Sequence, residues 1–140
     1  MPIVVQKYGG SSVADVEKIR NVARRVIKAK EKGNDVVVVV SAMGKTTDGL
    51  IAQARQITPH PDVRELDVLL STGELVSSTL MAMMLKSMGH DAVSLSGAQA
   101  GIKTDSVYSK ARIIDIDTKR MKQELKAKKI VVVAGFQGIT

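Results

Sequence analysis

The segment Ile3-Val4-Val5-Gln6-Lys7-Tyr8-Gly9-Gly10-Ser11-Ser12 runs from apolar β-formers into a lysine, a Gly-Gly pair and two serines. That is the pattern of a short strand, Ile3 to Lys7, closed by a tight turn that opens a helix. The helix is expected from about Ser12 to Lys32, with Val13, Val16, Ile19, Val22, Ala23, Val26 and Ile27 on one face. Ser12 and Asp15 have capping-box spacing, and Gly33 supplies the stop. Five valines follow at Val36 to Val40. A run apolar on both faces fits a central parallel strand covered by helices.

Outward from this unit the alternation continues. After the loop Ser41 to Thr46 a helix is expected from about Thr47 to Ile57, broken by Thr58-Pro59-His60-Pro61. Two further helices are expected, Val63 to Leu70 and Glu74 to Met88, the second apolar around much of its circumference and so suited to a core or a subunit interface. Gly89-His90-Asp91 leads into a strand at Ala92 to Leu95, followed by the Gly-rich loop Ser96 to Gly101. Ile102 to Asp117 reads as shorter, partly exposed strands, Thr118 to Lys129 as a helix, and Ile130 to Ala134 as a buried strand. Such a sequence is an α/β protein with a mostly parallel sheet. Because a buried-type strand and a loop end it, residues 1–140 read as part of a larger domain.

Composition narrows the function classes. Aromatics are 2% of the 140 residues, too few for a base-stacking surface, so a nucleic-acid partner is not expected. The net charge of +7 sits mostly on Arg20 to Lys32 and Lys119 to Lys129, as the solvated faces of helices. No cysteine is present, hence no disulfide or Cys-based metal site. The start of the chain lacks a secretory pattern and no apolar run approaches a membrane span, so a cytoplasmic protein without a membrane partner is expected.

In an open α/β sheet, ligands bind beyond the carboxyl ends of the strands. Here those ends are Lys7 to Ser12, Ser41 to Thr47, Leu95 to Gly101 and Gly135 to Gly138, all rich in glycine or hydroxyl residues. At the first, Gly9 and Gly10 are expected to take positive φ and let the backbone approach a ligand. The helix N-terminus behind them favours an anion, and Lys7 adds a full charge. The structural alternative is an ordinary βα turn with a surface lysine. Gly44-Lys45-Thr46 imitates the end of a Walker A loop, but the leading glycine would stand where Val39 does. Thr47 or Asp48 could serve simply as an N-cap. Glu74, expected in a first helical turn, is explained either by the helix dipole or by pairing with a substrate ammonium. His60 and His90 have no partners at metal-ligand spacing and read as structural.

Lys7-Tyr8-Gly9-Gly10-Ser11-Ser12-Val13 resembles the aspartokinase signature Lys-Phe/Tyr-Gly-Gly-Thr/Ser-Ser-Val. Val39-Val40-Ser41-Ala42, Thr72-Gly73-Glu74 and Ala134-Gly135-Phe136-Gln137-Gly138 match the same family in order and approximate spacing. The resemblance covers essentially the whole chain. It implies an amino-acid-kinase (carbamate-kinase-like) fold, a three-layer αβα sandwich, of which this is the N-terminal part of the catalytic domain. The implied activity is ATP-dependent phosphorylation of the β-carboxylate of L-aspartate, opening the route to lysine, threonine and methionine, with Mg²⁺ as cofactor. By motif position Lys7 is implied as catalytic, and Lys7, Tyr8, Gly9, Gly10 and Ser41 as ATP-binding. Thr47 and Glu74 are implied to hold aspartate, with Glu74 facing its amino group. The second, nucleotide-binding half and the ACT domains of the family have no counterpart here, so 1–140 alone is expected to be inactive and the full-length protein to be an oligomer. Another amino-acid kinase, or a non-catalytic subunit or fragment, are the competing readings.

Overall fold

The computed structural model describes residues 2–104 and 113–135. Four strands, β1 (Ile3–Tyr8), β2 (Asp35–Val40), β3 (Ala92–Leu95) and β6 (Ile130–Ala134), form a parallel sheet in the order β1-β2-β6-β3. A small antiparallel pair, β4 (Ile102–Thr104) and β5 (Ile113–Ile116), stands apart from it. The helices are α1 (Val16–Glu31), α2 (Thr46–Ile57), α3 (Val63–Ser87) and α4 (Lys119–Lys126).

Strand order and chain direction fix which face each helix covers. From β1 to β2 and on to β3 the chain advances across the sheet; from β3 to β6 it turns back. Right-handed crossovers then put the helices of the advancing links on one face and that of the return on the other. The packing agrees. Ile19, Val22 and Val26 of α1 and Met81 and Leu85 of α3 share a core with Val36, Val38, Val40, Ile130 and Val132. Leu125 of α4 shares the opposite core with Val37, Leu95, Val131 and Val133. The valine run is thus buried on both faces, each such side chain contributing roughly 1.5–3 kcal/mol. The result is a three-layer αβα sandwich. At β1 the second face stays open, with Ile3 52% and Val5 64% exposed.

Two local expectations are corrected. Ser12 does not cap α1: Gly10–Val13 forms a 3-10 turn, and the Asp15 carboxylate accepts from Lys18 N–H at 2.8 Å to start the helix. The expected helices Val63 to Leu70 and Glu74 to Met88 are one continuous helix. Its N-cap is Asp62, which accepts from Glu65 N–H at 3.0 Å. The Ser71 and Thr72 hydroxyls, read as a break, donate back to the Val68 and Leu69 carbonyls at 2.7 and 2.6 Å. Unbroken, α3 is long and apolar enough by length and composition to cross a membrane, contrary to the expectation that no segment is. In this fold its length carries it across the sheet, against α1, α2, β3 and β6.

Part of the basic excess is neutralised locally. Arg120 Nε donates to Glu124 Oε1 at 3.0 Å, and the Lys129 ammonium lies 3.0 Å from the other oxygen. Lys129 first, with Arg120 adding to it, holds the Glu124 carboxyl below the usual carboxylate range.

Candidate active site

All four strands of the parallel sheet present their carboxyl ends along one edge. The ends of β1 and β2, the start of α2 and the middle of α3 pack there into one cluster. Ser41 N–H donates to the Tyr8 carbonyl at 3.2 Å, carrying the β1–β2 pairing one residue past the strands. Gly44 N–H then donates to the Gly10 carbonyl at 3.0 Å. A Cβ on Gly10 would stand 2.9 Å from the Ala42 carbonyl oxygen. Glycine is therefore required at Gly10 for backbone contact. The expected positive φ is not found at either residue: Gly9 has φ −78°, and among the described glycines Gly33, Gly44, Gly89 and Gly101 are the ones in that region.

The anion-binding elements are also rearranged. Directly behind the glycines lies the 3-10 turn, whose leading N–H groups have no partner within the turn. The N-terminus of α1 comes later and is capped by Asp15, so the α1 dipole does not serve the glycine turn. Lys7 is exposed and leaves the strand on the face opposite Tyr8. Tyr8 packs on the first core, and its hydroxyl donates to Gln6 Oε1 at 3.0 Å. Burial pushes the phenol upward in pKa, with the charge of Arg25 opposing. The part of Tyr8 at the turn is its backbone.

Thr47 lies in the first turn of α2, half-buried. The helix begins at Thr46, with Lys45 at the cap position and no side-chain cap bond, so neither Thr47 nor Asp48 caps it. Glu74 is buried, 5% exposed, three turns into α3. That position removes the helix-dipole explanation, which holds only in a first turn. Nearby Ser77 and Ser78 are buried but bonded to the Gly73 and Leu75 carbonyls. Ala42 joins the two sides of the cluster. Its carbonyl meets Gly10, and its Cβ would stand 3.0 Å from a Cβ on Gly73, beside Glu74.

The other strand ends contribute less. The β3 end is separated from β2 by β6, and its loop is closed on itself by reciprocal Ser96–Gln99 hydrogen bonds of 3.0 and 3.1 Å. Gly135 N–H donates to the Val40 carbonyl at 2.9 Å, but Phe136, Gln137 and Gly138 lie outside the described residues. His90 lies 3.6 Å from Glu31 on the far side of the fold from these loops, and His60 is exposed. A cavity of about 320 Å³ between Gln99, Lys103, Asp117 and Arg120 belongs to the α4 side. Ala42 is the contact that sequence reading did not weigh. The available signal was Gly73, because a glycine inside an apolar helical pattern points to close packing.

The three-layer sandwich and its cluster of glycine-lined strand ends place the chain in a family: it belongs to the amino acid kinase family, whose model matches residues 2–140. Within the family the similarity is to aspartokinases. That of Geobacillus stearothermophilus is 59% identical over 140 residues and that of Bacillus sp. (strain MGA3) 58% over 139, covering 100% and 99% of this chain and 34% of each relative. The chain thus spans about a third of the length of these relatives. The crystal structure of aspartate kinase from Synechocystis superimposes with a TM-score of 0.83 at 48% identity, over 100% of this chain and 22% of that one. The E. coli aspartokinase III complex with aspartate and ADP shares the fold, with a TM-score of 0.82 at 19% identity over 99% of this chain and 41% of that one.

Proposed function

We propose that this chain is the phosphate-end and acceptor-end part of an aspartate kinase, which transfers the γ-phosphoryl group of ATP to the β-carboxylate of L-aspartate. Glu74 carries the reading: a carboxylate buried in mid-helix, next to the loop that closes on the Gly10 turn. Aspartokinase similarity over the whole chain supports the reading, and the aspartate and ADP bound by the E. coli relative are one substrate and one product of that reaction. An aspartate oxygen attacks the γ-phosphorus, the bond to the bridging oxygen breaks, and ADP leaves. The attacking carboxylate is ionised at neutral pH, so no general base is needed. The difficulty is bringing an anion to a polyanion, and catalysis is positioning plus charge neutralisation. Lys7 and the backbone of Gly9, Gly10 and Ser41 hold the phosphates. Thr47 and Glu74 hold aspartate, Glu74 at the ammonium. Among the described residues no group of three His, Cys, Asp or Glu side chains is placed to hold a metal. Mg²⁺ carried in with ATP would add to the charge neutralisation that Lys7 and the backbone amides supply.

On this reading the enzyme is cytoplasmic and opens the route to lysine, threonine and methionine. The adenine-binding half and the regulatory domains lie in sequence outside 1–140. The longer protein is expected to form aspartyl phosphate, trapped by hydroxylamine as the hydroxamate, while 1–140 alone gives none. Turnover of glutamate, acetylglutamate or UMP in place of aspartate would overturn the assignment, and turnover by 1–140 would overturn its incompleteness.

The oligomer belongs to the same proposal. Exposed residues Val68, Thr72, Leu75, Val76, Thr79 and Met83 form an uncharged stripe along α3, with Val76 51% and Met83 64% exposed. A second copy packing on this stripe would cover it. Val76→Glu is expected to halve the mass of the longer protein in sedimentation equilibrium; an unchanged mass would remove α3 from the interface.

A further inference from the structure

Gly73 occupies an unfavourable place for a glycine. It is buried in the interior of the 25-residue helix α3, where glycine costs about 1 kcal/mol relative to alanine. Its φ is not positive, so conformational freedom does not explain it. Space does. A Cβ on Gly73 would stand 3.0 Å from Ala42 Cβ, 3.2 Å from Thr46 Cγ2 and 3.9 Å from Leu50 Cδ1. The first two separations are tighter than ordinary van der Waals contact. The missing methyl lets the β2–α2 loop and the first two turns of α2 lie against α3.

No residue of α2 is buried, and α3 is its main support. Proline breaks its far end at Pro59 and Pro61, and Gly44, with φ 47°, precedes its start. Few other contacts set the height of α2 above α3. Thr47 rides on α2 next to Thr46, and Glu74 is the residue after Gly73. The Gly73 contact therefore lies one residue away in sequence from each of the two residues assigned to the acceptor.

We propose that Gly73 is a positioning residue that sets the span between Thr47 and Glu74, and through it the fit of the acceptor amino acid. The inference rests on the reading of Thr47 and Glu74 as aspartate-binding. Adding a methyl lifts α2, and a displacement on the ångström scale weakens a two-point grip, while the Ser41–Tyr8 and Gly44–Gly10 backbone hydrogen bonds hold the loop to the phosphate cradle.

The test uses steady-state kinetics of the longer protein. Gly73→Ala is expected to raise the KM for aspartate about tenfold or more, with the KM for ATP within about twofold of wild type. Ala42→Gly added to Gly73→Ala removes the nearest opposing atom, and is expected to restore the aspartate KM to within about threefold. An unchanged aspartate KM in Gly73→Ala overturns the proposal. So does an equal rise in both KM values, or a failure of Ala42→Gly to rescue. If Gly73→Ala does not fold, the double variant decides: folded with a near-wild-type aspartate KM it supports the proposal, and otherwise it overturns it. Glu74→Gln run alongside separates the two levels. If that variant leaves aspartate binding intact, the acceptor-site reading fails; if it does not, the result for Gly73 stands on its own.

Discussion

Gly10→Ala is expected to damage both fold and activity, whereas Gly9→Ala should damage activity alone. The two glycines are adjacent and look equivalent in the sequence, yet their surroundings differ. A methyl on Gly10 meets the Ala42 carbonyl oxygen at 2.9 Å, with Gly44 N and O at 3.6 and 3.5 Å. All three are backbone atoms and cannot swing aside. The Gly10 carbonyl also accepts the Gly44 N–H, so the methyl must open the β1–β2 loop pair or break that bond. Overpacking of this kind costs about 1–3 kcal/mol. For a domain of this size that lowers Tm by roughly 2–9 °C.

At Gly9 a Cβ meets nothing within 4 Å and the φ of −78° suits any residue. Stability should therefore change by less than about 0.5 kcal/mol. If a phosphate lies against this backbone, the Gly9 methyl enters the space it uses. The KM for ATP then rises by about tenfold or more, and kcat falls with it. Thermal melts and steady-state kinetics of the longer protein read the two effects separately. Full activity in Gly9→Ala would remove the phosphate from the first strand end. A Gly10→Ala variant with wild-type Tm would mean that the loop contact is not constraining.

This contrast marks what sequence reading reaches. Strands came from the valine runs, and α1 from its 3.6-residue stripe and Gly33, because these signals lie within one element. The order β1-β2-β6-β3 and the division of helices between two faces were not legible, since both depend on which strands pair. The same limit explains the misreading of Gly10. Glycine is necessary there, but positive φ is a local cause and the real one, Ala42, sits 32 positions away. In α3 the hydroxyls of Ser71 and Thr72 next to Gly73 imitate a helix boundary. What overrides that signal is hydroxyl bonding back into the helix and the packing of Ala42 on the glycine. Joining the two predicted helices also changes the meaning of Glu74. At a helix start a carboxylate needs no explanation beyond the dipole; in a helix interior the dipole no longer accounts for it.

Glu74→Gln carries the second large effect, and its signature is chemical. If the carboxylate faces the aspartate ammonium, the amide keeps the shape and one hydrogen-bond acceptor but loses the charge. A hydrogen bond to a charged group contributes about 1.5–3 kcal/mol, so the aspartate KM should rise roughly 10- to 150-fold while the ATP KM stays near wild type. A rise alone would also follow from a disturbed α3. Succinate separates these cases, because it keeps both carboxylates of aspartate and lacks the amino group. The wild-type enzyme should prefer aspartate to succinate strongly, and Glu74→Gln should collapse that preference by about the factor it adds to the aspartate KM. General damage to α3 would depress both acceptors equally and leave the preference standing. That outcome would move Glu74 from the acceptor site to the support of the helix.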